Sequence, residues 1–160
     1  MANTYYQITL HIVFAVRGRE NLLRQDHRDE LFKYISGIIK NKGQKLFSIN
    51  GMSDHVHILC SIEPKMAISD LVRDIKNNSS KFINEKKWMP GKFMWQEGFG
   101  VFSYSRSQRP NIIAYIENQE RHHKNKNFRE EYIDMLSKFD VDYDMQYIFD
   151  TFDNLPKTKK

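Results

Sequence analysis

One cysteine, Cys60, in a chain of 160 residues leaves no partner for an internal disulfide. No run approaches the roughly 20 uncharged apolar residues that a membrane span requires. The opening stretch, MANTYYQITLHIVFAVRGR, lacks a basic start followed by a long apolar core. No secretory signal is therefore expected, and the expected setting is the cytoplasm. Glycine and proline are sparse, 7 and 4 residues, and neither a low-complexity tract nor an internal repeat is present. A collagenous, linker-like or repeat architecture is excluded on that basis.

What remains is a length suited to one ordinary domain with a sizeable core. Charge is distributed unevenly. Residues 1–126 carry 20 Lys and Arg against 12 Asp and Glu, a net of +8, whereas residues 127–160 carry 5 against 8, a net of −3. A basic body suits a polyanion, because neutralised phosphates release counterions. The plain alternative is a solvated surface with a modest positive excess.

Hydrophobic periodicity gives a mixed order of elements. From Tyr5 to Arg17 the residues alternate: Ile8, Leu10, Ile12, Phe14 and Val16 face one way, and Gln7, Thr9 and His11 the other. The pattern predicts a strand with one buried and one open face. Leu31, Tyr34, Ile35, Ile38 and Ile39 recur at helical spacing, with Asp26 a candidate N-cap and Gly43 a candidate stop. KLFSINGMSDHVHILCSI predicts a hairpin turning near Gly51 to Asp54. A second amphipathic helix follows Pro64, short strands cover Phe93 to Gln96 and Phe99 to Tyr104, and a third helix starts near Pro110 and runs through NIIAYIENQERHHK. This order fits an α+β fold: a ferredoxin-like antiparallel sheet with helices mainly on one face.

Within the strand from His55 to Ile62, Val56, Ile58, Cys60 and Ile62 complete an apolar face, so His55 and His57 fall on the other. Two imidazoles two residues apart on a strand can reach one ion, although paired half-exposed histidines would satisfy the same spacing. On the third helix Tyr115 and Gln119 are four apart and share a face. A sheet face bearing histidines needs a cover, and this helix has a suitable side. The buried position expected for Cys60 makes it structural.

HVH on a strand after Met52, Ser53 and Asp54, then AYIENQ on a late helix, together with YYQITLHIVFAVRGRE and FMWQEGFGVFSYS, resembles the single-tyrosine transposases of the HUH class. These enzymes move insertion sequences as single-stranded DNA, and the resemblance spans roughly residues 4 to 126. It implies that His55, His57 and Gln119 bind a divalent metal and that Tyr115 is the nucleophile. Ligand type alone would admit zinc, manganese or nickel, and the resemblance implies Mg2+ or Mn2+. It further implies single-stranded DNA with hairpin ends as the substrate. The implied assembly is a homodimer, with each site built from the histidines of one chain and the tyrosine helix of the other.

Arg17, Arg19, Arg73, Lys76, Arg106 and Arg109 are candidate phosphate contacts. His122, His123, Lys124 and Lys126 either touch the DNA backbone or complement a helix dipole. Residues 1–126 are read as the catalytic domain. Residues 127–160 are read as a further helix over Phe128, Tyr132, Met135 and Leu136 plus an acidic, aromatic tail that covers the site, binds a partner or braces a dimer. DVDYD at 140–144 lacks the later residues of a calcium loop. Two other functions fit parts of the pattern: a single-strand-binding module without catalysis, and a domesticated nuclease that processes chromosomal repeats.

Overall fold

The computed structural model describes residues 3–145 and 148; the side chain of Arg19 and the residues that a full calcium loop would add lie outside the described residues. Four strands form one antiparallel sheet: β1 (Thr9–Ala15), β2 (Lys45–Gly51), β3 (His55–Ser61) and β4 (Gly100–Tyr104), in the order β2-β3-β1-β4. Helix α1 (Gln25–Asn41) joins β1 to β2, and α2 (Ile68–Lys86) joins β3 to β4. That is the ferredoxin-like plan, in which each crossover spans a strand inserted between its two ends.

One face of the sheet carries the larger core. Ile12, Phe14 and Val16 of the first strand region meet Val56, Ile58 and Cys60 of β3 beneath Leu31, Ile35 and Ile39 of α1 and Leu71, Val72 and Ile75 of α2. The period-2 and period-3.6 patterns therefore meet as read. Details differ at the ends. The first strand starts at Thr9 rather than Tyr5, and Trp95 makes a single bridge to Val16 rather than a strand through Gln96. Arg24, not Asp26, occupies the N-cap of α1, which puts Asp26 in the first turn, where its charge complements the helix dipole.

The β2–β3 hairpin is tight enough to demand glycine. A Cβ on Gly51 would lie 2.2 Å from the His55 carbonyl oxygen, so no other side chain fits where the strand carrying the histidines begins.

The second face of the sheet, read as partly polar with the third helix as its cover, is buried more fully than that. Every residue of β1 is buried, Thr9 and His11 included. Val13, Ala15 and Phe102 on that face pack against Phe128, Met135 and Leu136 of helix α5 (Phe128–Lys138), which closes a second, smaller core. Asn127 caps α5 by accepting a hydrogen bond from the Glu130 amide at 2.9 Å. The third helix is not continuous. It breaks at Asn118 (φ −96°, ψ 27°) into α3 (Arg109–Glu117) and α4 (Gln119–His122). The break puts Tyr115 and Gln119 on separate helices.

Candidate active site

Register builds the floor of the site. Val13 pairs with His57 and Ala15 with His55, so both imidazoles rise from the centre of the second sheet face, 0% exposed. Each ring is held from behind. Asp54 Oδ1 lies 2.7 Å from His55 Nδ1, and His11 Nε2 lies 2.8 Å from His57 Nδ1. The Asp54 carboxylate can only accept, so it fixes the proton of His55 on Nδ1, while His11 can donate or accept and orients the His57 ring without fixing its tautomer; each contact leaves the other nitrogen directed elsewhere. The Phe128 ring stacks on His55 with 4.0 Å between centroids.

The two Nε2 atoms converge on residues from the covering helices. Asn50 of β2 donates to the carbonyls of Ile116 at 2.9 Å and Glu117 at 3.3 Å, pinning the C-terminal end of α3 to the sheet. These carbonyls would otherwise lack partners. The chain then turns Gln119 inward, fully buried, with Oε1 3.0 Å from His55 Nε2. Glu131 of α5 completes the ring: its Oε1 sits 2.9 Å from His57 Nε2 and 3.6 Å from His55 Nε2. The Tyr115 hydroxyl donates to its Oε2.

Glu131 was not among the residues singled out from sequence. A signal was present, however. Glu131 lies three residues after Phe128 and four before Met135, so a carboxylate stands on the apolar stripe of an amphipathic helix. Buried carboxylates are rare unless paired.

Protonation follows from these contacts. Burial lowers His57 from 6.5 to about 4, against the pull of its hydrogen bond to Glu131, so the imidazole is neutral. Burial also lowers His11 well below its ordinary value. For Glu131 burial acts upward, but hydrogen bonds from His123 and His57 outweigh it and hold the carboxyl far below the usual carboxylate range. Burial raises Tyr115, and the adjacent Glu131 charge raises it further, so the phenol stays protonated at rest.

A divalent cation fits this donor set. The ligand atoms of His55, His57 and Glu131 all lie within 4.8 Å of one another. Bonds of about 2.0–2.2 Å to imidazole and carboxylate place neighbouring donors about 3 Å apart, of the order of the 2.9 and 3.6 Å from Glu131 Oε1 to the two imidazole nitrogens.

The other candidates are placed as follows. Arg73 pairs with Asp70 and Asp74, Lys76 donates to the Gln96 carbonyl at 2.8 Å and to the Gly98 carbonyl, and Arg109 stacks 3.9 Å above Phe47 while donating to Thr9. Lys76 and Arg109 thus brace neighbouring segments, whereas Arg73 is exposed and pairs only with acidic residues of its own helix. Arg17 and Arg106 are exposed. His123 turns toward Gln119 and Glu131, at 3.2 and 3.4 Å, rather than outward. Within one chain Tyr115, Gln119 and both histidines come together.

Residues 4–119 match the protein family described as "Transposase IS200 like". The ISDra2 transposase TnpA of Deinococcus radiodurans is 30% identical over 121 residues, covering 71% of this chain and 85% of that protein. A transposase for insertion sequence element IS200 from Salmonella typhimurium is 26% identical over 125 residues, 74% of this chain and 81% of its own length. Among solved structures, a candidate transposase from Deinococcus radiodurans superposes with a TM-score of 0.58 at 26% identity, covering 74% of this chain and 96% of that one. A REP-associated tyrosine transposase bound to a REP hairpin shares the fold with a TM-score of 0.57 at 16% identity, covering 77% of this chain and 73% of that one.

Proposed function

Since the chain belongs to the IS200-like transposase family, whose name implies DNA strand transfer, we propose that it cuts and rejoins single-stranded DNA through Tyr115. The observation that carries this reading is the convergence of the Tyr115 hydroxyl, Gln119 and two buried histidines on Glu131.

His55, His57, Gln119 and Glu131 would hold a divalent cation, Mg2+ or Mn2+ by family resemblance. When bound, such an ion polarises a phosphoryl oxygen and stabilises the charge that builds there. The rest falls to the chain itself. Tyr115 Oη attacks the phosphorus as the bond to the 3′ oxygen breaks, and the phenol proton, held in the hydrogen bond to Glu131 Oε2, is relayed to the departing oxygen rather than kept by the weakly basic carboxylate. That oxygen leaves as a 3′ hydroxyl after taking a proton, and the 5′ phosphate stays on tyrosine. Rejoining runs the same step backwards with another 3′ hydroxyl, so no nucleotide triphosphate is consumed. Asp54 and His11 orient the two histidines, and α5 shields the site from water.

Hairpin-ended DNA is the proposed substrate, with Arg17, Arg19 and Arg106 as backbone contacts. A strand transfer needs two cuts and this chain offers one nucleophile, so two chains act together as a homodimer. The deciding experiment incubates the chain with Mn2+ and single-stranded oligonucleotides bearing hairpins. Protein-linked DNA should form with the wild type and be absent with Tyr115→Phe, while hairpin binding persists. An adduct that survives in Tyr115→Phe would remove Tyr115 from the role. Mixing Tyr115→Phe with His57→Ala chains reads the assembly: recovered adduct means that helices exchange between subunits, and none means that each chain closes its own site.

A further inference from the structure

Beside the tyrosine the structure opens a cavity of about 590 Å3 between α3, α4 and α5. Its size falls in the range of about 300–1,000 Å3 common to small-ligand sites. We infer that this cavity receives the base of an unpaired nucleotide next to the scissile phosphate, drawn out of the strand and held against Tyr104. The inference rests on the strand-transfer reading above and adds to it a subsite for the substrate.

The walls have the chemistry a nucleotide needs. Tyr104 supplies an aromatic face beside the apolar side chains of Ile112 and Met135. Stacking of a base on such a ring contributes about 1–3 kcal/mol and tolerates any base, because every base has a π-face. His122 borders the cavity, and its Nε2 is buried with no hydrogen-bond partner among the described residues. A buried polar atom of this kind is costly unless a ligand or water satisfies it, and a base edge offers both donors and acceptors.

Charge points the same way. Arg121, Lys126 and Lys138 line the cavity, against the two carboxylates of Glu131 and Asp134. Both carboxylates are already engaged, Asp134 by Lys126 and Glu131 by the histidines and Tyr115. Arg121 and the exposed Lys138 remain to meet a phosphodiester backbone. Lys138 Nζ lies 5.9 Å from the centre of the Tyr104 ring, so cation and aromatic face sit together.

Proximity fixes which nucleotide enters. Attack requires the phosphorus to approach the Tyr115 hydroxyl to about 3–3.5 Å. Tyr115 is itself part of the cavity wall, and the His122 ring lies 4.6 Å from its ring. A nucleotide attached to that phosphorus therefore reaches this recess first. In single-stranded DNA the base has no pairing to lose, which makes its extrusion cheap.

The test uses Tyr115→Phe chains, expected to bind DNA without cutting it, and short single-stranded oligonucleotides of random sequence carrying one 5-iodo-2′-deoxyuridine. Irradiation should crosslink the iodinated base to Tyr104 or His122, mapped by peptide mass spectrometry. Ile112→Trp, which fills the cavity, should cut that crosslink about tenfold, corresponding to about 1.4 kcal/mol of lost stacking. Mn2+ binding by the same chains should stay unchanged. Lys138→Glu, a surface change that leaves the core untouched, should weaken the same crosslink. Crosslinks that map only to other aromatics, such as the exposed Tyr5 and Tyr6, or that ignore both substitutions, overturn the inference. So does an absence of crosslinks. Crosslinks at Tyr104 or His122 in a protein whose wild type forms no covalent adduct would instead keep the nucleotide site and sink the strand-transfer reading.

Discussion

Gly100→Ala tests whether α5 is a working part of the site. A Cβ at Gly100 would lie 2.6 Å from Tyr132 Oη, 2.8 Å from Cε2 and 3.0 Å from Cζ. Ordinary contact begins near 3.4 Å, so the ring must retreat by roughly 0.8 Å. Two ring carbons are involved as well as the hydroxyl oxygen, so rotating the hydroxyl cannot relieve the clash. The ring packs against Phe128 at 5.7 Å and belongs to the small core that holds α5 on the sheet. Overpacking of this kind costs about 1–3 kcal/mol. Glu131 is the adjacent residue, and a shift of α5 draws its Oε1 away from His57, now at 2.9 Å. Urea denaturation should show the loss of stability, and calorimetric titration with Mn2+ should show affinity reduced about tenfold. Tyr132→Leu in the same chain should recover part of both, a coupling of about 0.5–3 kcal/mol in a double-mutant cycle. Wild-type stability and Mn2+ affinity in Gly100→Ala would refute the claim that α5 is seated firmly enough to hold Glu131 in place.

Glu131→Gln keeps the shape but removes the charge, and it should weaken Mn2+ binding about 10–100-fold while leaving the fold intact by circular dichroism. Asn50→Ala frees the end of α3 and should cost about 1 kcal/mol, read by urea denaturation, with adduct formation falling further than stability because Gln119 follows that helix end. Stability with chelator present should depend on pH through His57. Its folded value lies near 4, below the ordinary 6.5, so its contribution is complete above 6.5 and is lost as pH falls toward 4. The shift corresponds to roughly 3 kcal/mol. His57→Asn should flatten that slope, and an unchanged slope would show that another group controls it. His123 acts oppositely. Its raised value gives stability that is complete below 6.5 and fades as pH rises.

Much of this arrangement was legible in the chain. The period-2 alternation around His55 and His57 put both rings on one face, because side chains two apart on a strand cannot point otherwise. Helical spacing found α1, α2 and α5, and Pro110 marked the start of α3. The resemblance to HUH transposases rested on short motifs at fixed order and agrees with the family to which residues 4–119 belong. Spacing alone also suggested that Tyr115 and Gln119 ride one helix. Asn118 breaks it, and the tether from Asn50 still turns Gln119 inward.

Periodicity specifies which face a residue occupies and is silent on what lies against that face. That choice depends on pairings far apart in sequence, such as Glu131 with His57 across 74 positions and Asn50 with Ile116 across 66. The sheet face bearing the histidines was therefore read as covered by the tyrosine helix, and covering the site was one of three roles left to the C-terminal segment. Tertiary packing decided both. Phe128, Met135 and Leu136 find apolar partners on the second face of the sheet, and in burying them α5 carries Glu131 down onto the histidines. A carboxylate is costly to bury alone. It is tolerated here because His57, His123 and Tyr115 surround it, a set of neighbours drawn from three separate parts of the chain and assembled only by the fold.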